Sequence, residues 1–304
     1  MNMIIVMMMI LTFLCKNKIL LIYIMDKIAF MFLLYDKIQH QELWEKFFSE
    51  DPNKERHTIY SHPKLITKKT PQWIVENKVK TVKTDWCSEN LVKALCQMLK
   101  EALKDKSNKY FALLSGACIP LLTFNKTYKK INKLKKTQVY FYTFDDLINY
   151  KASQWVIYTR KTAKDLVRLY DRKDKIARSF MNKQHDIFEK PKTKKRTRKK
   201  NTKKKSKYKP LKWEEKQVLS DHGGCPDEFY PINWFVSIYG SPKSKKFKKY
   251  IEFKLSTWYY MDEYADHPII INKNNINKYK KVFCNSFFAR KFTKESAKLI
   301  GMSC

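Results

Sequence analysis

Residues Ile28–Leu34 read I-A-F-M-F-L-L, directly after Asp26-Lys27. An unbroken apolar run with no polar alternation predicts a strand buried on both faces. Strands of that kind belong to parallel sheets covered by helices. Outward from this run, Gln39–Phe48 carries Leu43, Trp44, Phe47 and Phe48 at helical spacing. Thr58–His62 then reads as a second strand closing in Ser61-His62-Pro63. A β-α-β opening predicts an α/β domain with a ligand crevice beyond the C-terminal ends of its strands. His62 falls at such an end and is a site-lining candidate, although a lone histidine is more often structural than catalytic.

Val79–Lys83 reads as a short third strand. Asp85-Trp86-Cys87-Ser88 follows, with Asp85 or Ser88 placed to cap a helix whose apolar stripe is Leu91, Leu95, Met98, Leu99 and Leu103. Tyr110–Leu114 predicts a fourth, fully buried strand. It ends in Ser115-Gly116-Ala117-Cys118, which makes Ser115 and Gly116 candidates to line the crevice, with Asp85 beside them.

The stretch with the most chemistry is Cys225–Trp234, C-P-D-E-F-Y-P-I-N-W, preceded by Gly223-Gly224. Asp227 and Glu228 are adjacent carboxylates fenced by Phe229, Tyr230 and Trp234. Mutual repulsion and an apolar fence both raise a carboxyl pKa towards the working pH, as a general base requires. The plainer reading is a loop whose acidic residues serve the free N–H groups of the next helix.

The net charge of +34 implies an anionic partner, whether nucleic acid, phosphate groups or an anionic surface. Lysine dominates that charge alongside abundant asparagine and isoleucine, so part of it reflects AT-rich coding. The seven cysteines include no C-x-x-C pair, which argues against a zinc site; their odd number and wide spacing leave room for one or two disulfides.

The segment Y-F-A-L-L-S-G-A-C-I-P-L, Tyr110–Leu121, resembles the hallmark of the core-2/I-branching β-1,6-N-acetylglucosaminyltransferase family, glycosyltransferase family 14. Four further blocks follow in the family's order. They are Ser153-Gln154-Trp155-Val156 through Arg160 and Ala163, Cys225-Pro226-Asp227-Glu228, Trp258-Tyr259-Tyr260 with His267-Pro268, and Phe288-Ala289-Arg290-Lys291-Phe292. The resemblance covers about residues 26–300, with Ala152 where the family has glycine.

That resemblance implies a GT-A glycosyltransferase fold, a Rossmann-like, mostly parallel sheet flanked by helices. It implies inverting, metal-independent transfer from a UDP-sugar to a glycan or glycoprotein acceptor, with no cofactor and no metal. The donor sugar would be N-acetylglucosamine, with xylose as the alternative. Glu228 would be the catalytic base, Lys291 and Arg290 would bind the donor diphosphate, and Trp258 and Tyr260 would bind the acceptor. For Trp258 a place in a core strand, Tyr250–Tyr260, weighs equally. The chain contains no D-x-D; Asp145-Asp146 and Asp262-Glu263 are the nearest approaches and read as solvated charges. One departure is Ile269-Ile270-Ile271, where family members carry a second phosphate-binding arginine; either Arg290, Lys273 or another cation substitutes, or catalysis is weakened.

Residues 1–25 form a hydrophobic N-terminal extension. Met3–Cys15 is apolar, but Lys16-Asn17-Lys18 interrupts it before Ile19–Ile24, so it fits neither a spanning helix nor a signal peptide well. It is either an anchor, which implies a membrane-associated secretory location, or sequence upstream of a start at Met25. Within the domain of residues 26–304, residues 189–212 form a basic insertion. Between Lys190 and Lys209, 13 of 20 residues are Lys or Arg, a composition that cannot bury a core and predicts a disordered loop. Lys190–Lys209 is also the candidate for weak nucleic-acid or anionic-surface contact, against the rival reading of the whole chain as a basic binding protein on a decayed transferase fold. Replacing residues 189–212 with a short Gly/Ser linker should leave folding intact and flatten any salt-dependent affinity for DNA or RNA; a filter-binding salt titration checks this, and an unchanged slope would exclude the insertion as the contact.

Overall fold

The computed structural model describes residues 25–143, 150–171, 225–259 and 268–304. The hydrophobic stretch 1–24 and the basic insertion 189–212 lie outside the described residues, as do Asp145-Asp146, Tyr260, Asp262-Glu263 and His267.

The chain opens with strand β1 (Lys27–Leu34), helix α1 (Gln41–Phe48), strand β2 (His57–Pro63), the short helix α2 (Gln72–Glu76) and the long helix α3 (Glu89–Lys104). Strand β3 (Asn108–Ser115) follows, then β4 (Ile119–Pro120), α4 (Phe124–Ile131), β5 (Thr137–Val139), β6 (Phe141–Thr143), β7 (Tyr150–Ala152), β8 (Ile157–Thr159) and α5 (Arg160–Asp171). The C-terminal part carries α6 (Pro226–Tyr239), α7 (Lys245–Tyr250), β9 (Ile251–Phe253), β10 (Thr257–Trp258), α8 (Ile276–Phe283), β11 (Phe288–Ala289) and α9 (Lys294–Ile300).

The central sheet has the order β2-β1-β3-β8-β5-β9. β1 pairs in parallel with β2 and β3, and β5 with β9, while β8 alone runs against its neighbours β3 and β5. The result is a mixed α/β architecture with a mostly parallel sheet flanked by helices, consistent with a GT-A-like glycosyltransferase fold. A small second sheet, β10-β11-β4, stands beside it, and β6 pairs with β7.

The apolar run that begins the chain explains the layering. Side chains alternate across a strand, so Ile28, Phe30 and Phe32 face one core and Ala29 and Met31 face the other. β3 divides in the same way: Ala112 and Leu114 join the first core, Phe111 and Leu113 the second. Trp44 and Phe47 of α1 with Phe124 and Ile131 of α4 cover one face; α3, α5 and α6 cover the other. A third cluster around Trp258, Phe283 and Phe292 binds the C-terminal segment to β4.

Three expectations need correction. Val79–Lys83 is not a strand: it touches the sheet edge at a single bridge, Ser61 to Lys78, with Val79 N–H donating to the Ser61 carbonyl at 3.0 Å. Only Val79 of that segment is buried, and its two lysines hold the rest in water. Tyr250–Tyr260 is likewise not one strand. It breaks at Lys254–Ser256 into β9 and β10, which belong to different sheets. Cys225–Trp234 is not a loop, because Pro226 opens α6 at its first turn, where a missing N–H costs nothing.

Two disulfides form, Cys87–Cys225 and Cys284–Cys304, separated by 138 and 20 residues respectively. The first joins the start of α3 to the start of α6.

Phe30 is fully enclosed and lies edge-on to Trp44, Phe47, Phe48 and Phe288. Phe30→Ala should therefore cost roughly 3–5 kcal/mol of stability. Urea unfolding checks this; an unmoved midpoint would contradict the placement of β1 at the centre.

Candidate active site

Glu228 is the third residue of α6. Its Oε2 accepts the Cys225 N–H at 3.4 Å and lies 3.3 Å from the Lys151 ammonium. The capping role and the candidate catalytic position thus fall on one carboxylate. Lys151 reaches it because Asn233, one turn and a half further along α6, clamps β7. Its amide donates to the Tyr150 carbonyl at 2.8 Å and accepts the Tyr150 N–H at 3.1 Å. Neither Lys151 nor Asn233 was identifiable from sequence, since each acquires its role from a partner about 80 residues away.

Asp227 is buried, and its Oδ1 has no hydrogen-bond partner. Burial first, and the neighbouring Glu228 charge second, push its pKa up to about 7. The carboxyl raised by its surroundings is therefore Asp227, on the inner side of the helix.

Arg290 follows β11. Its N–H donates to the Trp258 carbonyl at 2.9 Å, and its guanidinium lies 4.8 Å from the centre of the Trp155 ring. Its Nε is enclosed and unpartnered. Burial lowers its pKa, opposed by the fields of Cys118, Tyr259 and Glu228, which surround it. Lys291 is partly exposed; burial and then the Arg290 charge lower its pKa. Tyr259, whose pKa burial pushes up to about 12, feels both Glu228 and Arg290.

The Ser115–Cys118 turn packs beneath this group. Cys118 Sγ takes the Ser115 N–H at 3.3 Å and lies 3.2 Å from Ser115 Oγ. The Gly116 carbonyl accepts the Gln39 N–H at 2.7 Å, and a Cβ on Gly116 would stand 2.3 Å from the Lys37 carbonyl oxygen. Only glycine permits that approach. Trp44 completes the joint, donating its indole N–H to the Cys118 carbonyl at 2.9 Å.

The other candidates fall outside this group. His62 is buried and its Nε2 accepts the Val82 N–H at 2.9 Å; burial lowers its pKa, so it is a neutral ring carrying its proton on Nδ1. Asp85 is exposed and paired with Lys64 at 3.0 Å. Ser88 stands at the N-cap of α3 without capping it, its hydroxyl donating instead to the Asp85 carbonyl at 2.8 Å. Trp258 is buried against Tyr279 and Phe283, so its ring belongs to the core while its carbonyl positions Arg290. Ile271 is buried and bridged to Phe292, whereas Ile270 and Lys273 are exposed. Lys151 is the cation in contact with Glu228, and Arg290 lies within reach of its charge.

Motifs spread over the 177 residues from Ser115 to Lys291 thus meet near Arg290, on which the charges of Cys118, Tyr259 and Glu228 act. The family model described as Core-2/I-Branching enzyme matches residues 28–169. Residues 28–169 are thus similar to Core-2/I-Branching enzymes. The rice protein (Oryza sativa subsp. japonica) "Glycosyltransferase BC10" is 29% identical over 161 residues, which span 46% of this chain and 40% of that protein's length. A197 from STIV overlaps 45% of this chain and 67% of its own at 12% identity and a TM-score of 0.25, too little overlap to carry an argument. The Core-2/I-Branching match ends before Glu228, Arg290 and Lys291, so their roles rest on the geometry of this chain.

Asp227 sets a pH dependence. Its carboxyl titrates near 4 when unfolded and at about 7 when folded, so between those values the native state holds the extra proton. Stability should fall as pH rises from about 4 to about 7. Asp227→Asn removes the ionisation and should flatten that part of the curve; identical pH profiles in urea unfolding would contradict the buried, protonated carboxyl.

Proposed function

We propose that this chain is a glycosyltransferase that moves a sugar from a UDP-sugar to a hydroxyl of a glycan by single displacement with inversion, without a metal ion. The observation that carries the reading is the proximity of Glu228 to Arg290, whose charges act on one another, with Lys291 next to Arg290 in the chain. Tyr259 feels both Glu228 and Arg290, and the Trp155 ring supports the Arg290 guanidinium. Glu228 takes the proton of the acceptor hydroxyl while that oxygen attacks the anomeric carbon. The bond from that carbon to the diphosphate breaks, and Arg290 and Lys291 offset the charge that gathers on the departing oxygens. Arg290 is suited to this because its donors are held against an indole face and its Nε is unpaired.

Metal independence is part of the proposal. Support comes from the lack of any D-x-D in the sequence and from the two cations that can neutralise the leaving group in a metal's place. N-acetylglucosamine is the proposed donor sugar, by resemblance to the family, with xylose as the alternative.

In EDTA, Glu228→Gln should lower turnover by roughly 10²–10⁴ while leaving UDP affinity nearly constant. Lys291→Ala should weaken UDP binding and slow transfer together, since the charge it meets grows in the transition state. Steady-state kinetics with UDP calorimetry separates the two. Wild-type turnover in Glu228→Gln would reduce Glu228 to a helix cap, and activity restored only by Mn²⁺ would sink the metal-free mechanism.

A further inference from the structure

Trp86 is 79% exposed and stacks on no ring among the described residues. A large indole in water has an unfavourable hydration free energy that burial would recover. Its backbone, in contrast, is held from every side. Asp85 and Ser88 exchange hydrogen bonds, the Asp85 N–H to Ser88 Oγ at 3.2 Å and the hydroxyl back to the Asp85 carbonyl at 2.8 Å. Lys64 pins the Asp85 carboxylate at 3.0 Å. Cys87 takes a left-handed conformation, φ 58°, which is unfavourable for a side chain with a Cβ and is held here by the disulfide to Cys225. The loop is rigid, and the one large side chain on it projects outward.

The disulfide gives that exposed ring an address. The Cα atoms of Cys87 and Cys225 are 4.6 Å apart, and the N–H of Cys225 is the group that holds Glu228 Oε2. Trp86 therefore stands one residue from the covalent link to the backbone that carries the candidate base. It also lies at the C-terminal side of the β1–β2 edge, where Lys64, directly after β2, reaches Asp85.

We propose that Trp86 is a sugar-stacking platform, binding a pyranose unit of the glycan acceptor next to the unit whose hydroxyl Glu228 activates. A pyranose ring presents an apolar patch of C–H groups on one face and hydroxyls at its rim. A flat, exposed, preorganised indole matches that face, leaving the rim to water and to neighbouring polar groups. The platform rests on the proposed transferase reading, but its test does not require turnover. The disulfide fixes the distance from platform to base, which favours acceptors of at least two sugar units over monosaccharides.

The test is binding of the full chain to immobilised oligosaccharides of two to four units, terminated in galactose, N-acetylglucosamine or xylose. It compares wild type, Trp86→Ala, Trp86→Phe and Phe253→Ala. Phe253 is 59% exposed and lies on β9, at the sheet edge opposite β2, so its variant controls for loss of surface hydrophobicity. Trp86→Ala should weaken glycan binding about tenfold, Trp86→Phe should recover part of it, and Phe253→Ala should bind as wild type. UDP affinity should be unchanged in Trp86→Ala. Glycan binding by wild type and Trp86→Ala with equal affinity would overturn the platform and leave the transferase reading standing. Wild type that binds UDP but none of these oligosaccharides would overturn the platform as well, and wild type that binds neither would remove both.

Discussion

Strand β1 is buried on both faces, and the rest of the molecule is laid against it. Ile28, Phe30 and Phe32 anchor α1 and α4 on one side, while Ala29 and Met31 sit under α3 on the other. β2 and β3 add to its edges in parallel, and their C-terminal ends define the rim of the crevice. Because parallel strands need long crossovers, the residues that meet at that rim come from distant parts of the chain. The chemistry follows from this topology: a turn after β3, a helix start at Cys225 and a segment after β11 all converge there.

The group so assembled combines features that a purely structural cluster would avoid. It contains a buried carboxyl without a partner at Oδ1, a cation whose Nε is enclosed and unpaired, and a second carboxylate, Glu228, pinned by an ammonium. Enclosing unpaired polar atoms costs stability, and such costs gather where a ligand supplies the missing partners. Asn233 and the Cys87–Cys225 disulfide hold the arrangement from two sides. They fix the orientation of Glu228 without entering the space in front of it.

The sheet was legible because its strands are apolar and contiguous. β1, β2, β3, α1 and α3 follow directly from hydrophobic runs and helical spacing. Val79–Lys83 misled because its two valines suggest a strand, yet its backbone makes no ladder with the sheet edge beyond one bridge. α6 was hidden by Pro226, Pro231 and the preceding glycines, which read as a turn; packing of Phe229, Ile232 and Phe235 into the core overrides that local signal. Arg290 and Lys291 were found through ordered motifs, whereas Glu228 was also marked by its adjacent carboxylate and apolar neighbours. Lys151, Asn233 and the pairing of Cys87 with Cys225 could not be found at all, because each depends on a contact that spans about 80 residues or more. Trp258 shows the converse: an aromatic in a recognisable motif whose ring the fold uses for packing.

The central claim is that Glu228 activates an acceptor hydroxyl for direct displacement at the anomeric carbon. The most direct measurement is the anomeric configuration of the product, read by proton NMR from the first glycoside formed with an α-linked UDP-sugar in the presence of EDTA. The account predicts a β-linked product as the initial species. An α-linked initial product would contradict it, because retention requires a second displacement or a front-face route in which Glu228 has no place as base.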